Sequence, residues 1–194
     1  MQINADRECL IRMLESPDAV KAIKQNLNIL LKIIPEITPM IGFEHKHPHH
    51  HLDVWEHTLC ALQNAPVDLD IRLTLLLHDI GKPHNFEEKD GIRRYRGHEI
   101  KSAEMSEKIL SRLDFDRRYI QYICKLIESH DTPLMLGQIR DDLEFSKVKF
   151  QIQICDALAH NPEMNRGRNE YIRQTKDAIA FFEKERKNIS QERY

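Results

Sequence analysis

The stretch Asp68-Leu69-Asp70-Ile71-Arg72-Leu73-Thr74-Leu75-Leu76-Leu77-His78-Asp79-Ile80-Gly81-Lys82-Pro83 decides how this chain is read. From Asp68 to Ile80 it is nearly continuous apolar sequence, long for a strand and without β-branched alternation. It reads as a buried central helix. That helix ends in His78-Asp79. An ionised carboxylate in such surroundings is strongly disfavoured unless something compensates it. Two compensations are open: a core histidine hydrogen-bonded to a neighbouring carboxylate, or a divalent cation held by both.

The flanking sequence is helical as well. Only six glycines and eight prolines occur in 194 residues, and they fall between periodic segments, as helix interiors require. Ser16-Pro17 reads as an N-cap with proline at the first helical position. Val20, Ile23, Leu27, Leu30, Leu31 and Ile34 then keep helical spacing until Pro35. Asp53 to Ala65 reads as a helix with a capping pattern in Asp53 and Glu56, stopped by Pro66. Residues 81–97 read as a loop. Glu99–Leu113 reads as a helix with an ion pair between Glu104 and Lys108. Asp116–Ser129 is a further helix, followed by a loop holding Pro133 and Gly137. Glu144–His160 and about Gly167–Lys187 complete the set. No strand, internal repeat or linker is expected. The fold class is all-α, with residues 1–194 as one domain.

Composition limits the function classes. Hydrophobic residues at 41% and charged residues at 31% describe an ordinary globular chain. A net charge of -2 offers no broad basic field for nucleic acid, although a local basic patch remains open. Cys9, Cys60, Cys124 and Cys155 form no CxxC pair and read as reduced thiols of a cytoplasmic protein. Neither a signal-peptide pattern nor a membrane span of about 18 apolar residues is present.

Histidine is the excess, at 11 residues. His57 precedes His78 by one helix. Asp156 interrupts the apolar run Phe150–Leu158. His130 continues the buried face of Ile123 and Ile127, and His98 opens its own helix. Polar residues placed repeatedly on core-facing positions point to one shared ligand. His45, His47, His49, His50 and His51 admit a second metal site or an exposed loop before a helix, and the loop is the preferred reading. Arg93, Arg94 and Arg96 fit a contact to nucleotide or RNA phosphates or a solvated basic loop.

The order His57, His78-Asp79, Asp156 resembles the HD superfamily of metal-dependent phosphohydrolases, and more closely the HD domain attached to bacterial CCA-adding tRNA nucleotidyltransferases. The segments His49–Leu59, Leu77–Pro83, Gly97–Glu99 and Asp156–Pro162 carry the likeness, which covers roughly residues 45–163. The resemblance implies a helical HD-type domain, with helical extensions at both ends. It implies that His57, His78, Asp79 and Asp156 coordinate one metal, that His98 and His130 hold a second, and that Lys82 faces a substrate phosphate. Only 44 residues precede His45, so the nucleotide-adding activity of those relatives is not expected here.

Imidazole and carboxylate ligands without thiolate suit Mn, Fe, Co, Ni or Zn, and also Mg. Such a metal polarises a phosphoryl oxygen and acidifies a bound water, which Asp79 could orient or deprotonate. The expected function is a metal-dependent phosphatase or phosphodiesterase acting on a phosphorylated small molecule, a nucleotide or an RNA end, of the 2′,3′-cyclic phosphodiesterase or phosphatase type. Asp79 and Lys82 are its expected catalytic residues, with Lys82, Arg94 and Arg96 binding substrate. The alternative is a non-catalytic regulatory or binding module that keeps the metal for structure.

Overall fold

The computed structural model describes residues 2–164 and 166–191. It is all-α apart from one small hairpin. The helices are α1 (Gln2–Glu15), α2 (Ala19–Gln25), α3 (Leu27–Ile33), α4 (Val54–Gln63), α5 (Leu69–Leu77), α6 (His98–Arg112), α7 (Arg117–Ser129), α8 (Leu136–Asp141), α9 (Leu143–Ala159) and α10 (Arg166–Gln191). Short 3-10 turns occupy Pro35–Met40, Lys82–His84 and Pro162–Met164.

The central helix is where the apolar run placed it. Asp68 caps α5 by accepting from the Ile71 amide, and every residue from Ile71 to Leu77 is buried. α5 packs against α1, α4, α7 and α9, so no face is left for solvent. Even Arg72 is buried. Its guanidinium donates to the carbonyls of Leu14 (2.5 Å), Ser16 (2.6 Å) and Ala65 (3.2 Å). A cation at the end of α1 thus satisfies carbonyls that the helix itself leaves unpaired.

Other boundaries follow local chemistry. Asp53 and Asp116 cap α4 and α7, as their positions predict. Several expectations need correction. Asp18, rather than Ser16, caps the second helix, accepting from Lys21. The expected long helix through Ile34 breaks at Asn26, whose side-chain amide donates back to the Ala22 carbonyl and competes with continued helix. The segment after Pro133 holds the short helix α8. Glu104 meets Lys101 at 3.6 Å rather than the expected Lys108.

The 81–97 loop also contains a hairpin, β1 (Glu87–Lys89) paired antiparallel with β2 (Ile92–Arg94). Asp90 and Gly91, both at positive φ, make its turn, the geometry of a tight Asp-Gly hairpin. Arg93 holds it down. It bonds Glu88 at 2.8 Å and the Glu44 carbonyl at 2.6 Å, and stacks on Phe43 and Phe86. Three-residue strands are too short to show a period of two in sequence.

A large apolar core lies among α1–α7 and α9, and a smaller one joins Leu134, Ile139, Leu143, Phe150 and Ile179 beneath α8–α10.

Candidate metal centre

Five segments deliver the polar residues to one point. α4 carries His57 on its buried face. His78 caps the C-terminus of α5, and the turn after it places Asp79, Gly81 and Lys82. Gly81 allows the next approach. A Cβ there would stand 2.7 Å from the Ser102 nitrogen and 2.8 Å from the His98 carbonyl oxygen, so any larger residue would push α6 away. Instead the Gly81 amide donates to Ser102 Oγ at 2.9 Å, and His98 at the start of α6 comes against Asp79. His130 caps the C-terminus of α7, and α9 supplies Asp156.

Each imidazole is aimed by its far nitrogen. Nδ1–H of His78 donates to Leu75 O (2.7 Å), that of His98 to Tyr95 O (2.7 Å), that of His130 to Ile127 O (2.6 Å) and that of His57 to Ala159 O (3.3 Å). In that tautomer each Nε2 carries a lone pair, the state a metal ligand needs. The Nε2 atoms face carboxylates. His57 Nε2 is 2.8 Å from Asp156 Oδ1 and 3.6 Å from Asp79 Oδ2. His78 Nε2 is 3.3 Å from Asp79 Oδ2 and 3.5 Å from Asp156 Oδ1. His98 Nε2 is 3.2 Å from Asp79 Oδ1.

Lone pairs facing carboxylate oxygens repel unless a cation or a proton lies between them. Buried atoms without a hydrogen bond concentrate here: His78 Nε2, Asp79 Oδ1 and His98 Nε2, with Asp79 Oδ2 in an ion pair with the Lys82 ammonium. Leaving such groups unpaired is costly. Among the described residues, three groups of donor atoms have the spacing that suits an ion: His57, His78 and Asp79; His57, Asp156 and His160; and Asp79, His98 and His130. The residues therefore fit a divalent metal, with Asp79 common to two of the groups.

The electrostatics agree. Burial opposes ionisation of Asp79, yet His78 and Lys82 hold its carboxyl well below the usual range. Burial likewise opposes ionisation of Asp156, and His160 and His57 outweigh it. Burial disfavours a charged His78, but the two carboxylates lift it to about 9. A proton bound that firmly marks a place where positive charge is wanted.

Lys82 is itself buried, with Nζ 2.8 Å from Asp79 Oδ2. It donates to His45 Nε2 at 3.4 Å, while His45 Nδ1–H donates to Leu52 O at 2.9 Å. Burial and the Lys82 charge press His45 down to about 3, so it is neutral. The histidine stretch is accordingly not the uniformly exposed loop expected. His45 is buried, and His50 stacks on it at 3.8 Å and reaches His160 at 4.3 Å. His49 and His51 do face solvent.

Two clefts reach the centre. A broad one of about 550 Å³ is lined by Lys82, Arg94, Arg96, His98, Asp131 and His47, among others. A narrower one of about 260 Å³ is lined by His130, Asp131, Asp156, Arg168, Tyr171 and Gln153 with neighbouring apolar residues. The expected residues His57, His78, Asp79, Asp156, His98, His130, Lys82, Arg94 and Arg96 are thus all placed at or beside this point. Arg93 is not; it braces the hairpin. Three further groups went unremarked as site residues. His160 follows Asp156 by one helical turn, a legible spacing. Asp131 repeats the His-Asp pattern after His130, and lies 3.5 Å from His98 Nε2. Arg168 had no local signal.

Among known proteins, the chain is 33% identical over 135 residues to the CC-adding tRNA nucleotidyltransferase of Thermus thermophilus, and 34% identical over 133 residues to the A-adding tRNA nucleotidyltransferase of Deinococcus radiodurans. Each match takes in 64% of this chain and 30% of the relative. A multifunctional CCA protein of Cupriavidus necator is 24% identical over 148 residues, 73% of this chain and 34% of that protein. The chain thus spans about a third of the length of these relatives. Residues 49–168 match the HD domain, a stretch that contains His57, His78, Asp79, His98, His130 and Asp156, and the chain belongs to the HD-domain family.

Proposed function

We propose that this protein is a metal-dependent phosphohydrolase that cleaves a phosphomonoester or phosphodiester of a nucleotide or RNA end. The observation that carries the proposal is Asp79. It is a fully buried carboxylate with three imidazole Nε2 atoms around it and a buried lysine whose Nζ lies 2.8 Å from one of its oxygens. His57, His78, Asp79 and Asp156 would hold one divalent ion, of Mn, Fe, Co, Ni, Zn or Mg. His98 and His130 would hold a second, with Asp79 shared. A bound ion there supplies Lewis-acid polarisation of a phosphoryl oxygen and an acidified water.

The chain's own residues supply the rest. Asp79, kept ionised by His78 and Lys82, is placed to orient a water and take its proton. Lys82 lines the broad cleft, so one ammonium serves both the carboxylate and an incoming phosphate oxygen. Arg94 and Arg96 line the same cleft and offer forked contacts to further phosphates. The relatives are named as tRNA nucleotidyltransferases, which favours an RNA substrate over an unrelated phosphoester.

The test is a panel of phosphomonoesters, 2′,3′-cyclic nucleotides and short RNAs, run with each of the six metals, on wild type and Asp79→Ala. Metal-dependent hydrolysis abolished by the substitution is expected. A folded, metal-loaded protein that hydrolyses nothing in the panel would leave a binding module instead.

A further inference from the structure

The broad cleft has its cations accounted for, since Lys82, Arg94 and Arg96 all belong to the phosphate side of the reading above. Among the described residues the narrow cleft has one cation, Arg168, near the start of α10. Its Nη1 is enclosed by protein and has no hydrogen-bond partner. Asp131 and Asp156 line the same cleft, yet neither forms an ion pair with Arg168 among the described residues. A guanidinium nitrogen removed from water and left without an acceptor is costly.

The other polar groups of this wall are already committed. Tyr171 donates its hydroxyl to Gln153 Oε1 at 2.7 Å and accepts from the Leu134 amide at 2.9 Å. Gln153 donates to the carbonyls of His130 (2.8 Å) and Thr132 (2.9 Å). These bonds lock α9, α10 and the turn after α7 into one rigid wall, with Pro133 and Ile172 as its apolar surface. Within that wall Arg168 is the cation still lacking an acceptor.

We infer that Arg168 binds an anionic group of the substrate on the far side of the metal centre from Arg94 and Arg96. The two clefts meet at Asp131, which lines both. A ligand occupying both would place one phosphate among Lys82, Arg94 and Arg96 and a second at Arg168. Pro133 and Ile172 would cover the apolar body between them. The substrate class is a phosphate ester carrying a second phosphate, such as a nucleoside bisphosphate or the last nucleotides of a chain, rather than a small monoester. Forked recognition of a phosphate suits Arg and not Lys. This deepens the phosphohydrolase reading and rests on it for the position of the reacting phosphate.

The experiment is calorimetric binding of adenosine 3′,5′-bisphosphate and of adenosine 5′-monophosphate in Mg²⁺ buffer, with wild type, Arg168→Gln and Arg168→Lys. Wild type should prefer the bisphosphate. Arg168→Gln should weaken the bisphosphate by about tenfold or more, the scale of a charge-assisted hydrogen bond, and leave the monophosphate within about twofold. Arg168→Lys should recover part of the loss. Thermal melting and metal content should match wild type in both variants. Equal weakening of both nucleotides, no weakening of either, or a wild type indifferent to the second phosphate would each overturn the assignment. Failure of the hydrolase reading would show separately, as selective bisphosphate binding by a protein that cleaves neither nucleotide nor any ester of the panel.

Discussion

Two lysines are buried among the described residues, and they could hardly be treated more differently. Lys82 is 6% exposed and sits 2.8 Å from the Asp79 carboxylate, with His45 as a second neighbour. Lys149 is 2% exposed, on α9 beside a cavity of about 280 Å³ lined also by Lys125, Ser129 and Ser146. Its amine has no ion pair or hydrogen bond among the described residues, and burial together with the Lys125 charge pulls it down to about 8. Burial of a charge alone therefore marks nothing. What distinguishes the centre at Asp79 is convergence: oriented imidazoles, two carboxylates and a cation that answer one another.

The strongest way to break that contrast is to remove Asp79. Asp79→Ala should lose bound metal and lower hydrolysis by about a hundredfold or more, because it deletes the partner of Lys82 and, on the proposed reading, a metal ligand and the carboxylate that orients the water. Elemental analysis beside phosphoester turnover measures both. Full metal occupancy in this variant and in His78→Ala would sink the ligand assignment.

The second largest effect concerns stoichiometry. With His98 and His130 both changed to alanine, two metals per chain should fall to one, since the Asp79, His98 and His130 group would then retain only its carboxylate. One metal per chain before and after, even in excess Mn or Fe, would show a single-ion site.

Lys82→Ala sharpens the comparison from the other side. On the proposed reading its ammonium contacts a phosphate in ground state and transition state alike, so KM should rise by about tenfold with kcat changed less. A loss confined to kcat would instead make Lys82 part of the chemical step.

Much of the centre was legible because its residues break a rule that the rest of the chain obeys. His57, His78, Asp79 and Asp156 interrupt apolar helices, and polar groups on buried faces stand out against a period of 3.6. His160 and Asp131 carried the same signals in weaker form, one turn after Asp156 and directly after His130. Arg168 carried none, because a charged residue at the start of a charged helix looks like any solvated one. The hairpin and the burial of His45 were hidden for another reason. Both depend on contacts distant in sequence: Arg93 reaching Glu44, and Lys82 closing over His45. Local pattern holds no record of such pairings.

The smallest expected effect tests the bare lysine itself. A native value near 8 lies below that of an unfolded lysine, so between about pH 8 and pH 10.5 the unfolded chain binds more protons than the folded one. Stability then rises with pH through that window, and below it the full cost of burying the ammonium is carried, roughly 3 kcal/mol at most. Lys149→Met keeps the length and apolar stem without the charge. It should therefore be more stable than wild type at pH 7, by about 1–3 kcal/mol or a few degrees in Tm. That advantage should shrink towards zero near pH 10.5. Thermal melts of the two proteins across pH 6–11 measure it, and hydrolysis should be unaffected, since Lys149 lines neither cleft that reaches Asp79. A variant less stable than wild type at pH 7 would mean that the amine has a counter-charge after all. In that case the contrast with Lys82 would be one of partner and not of isolation.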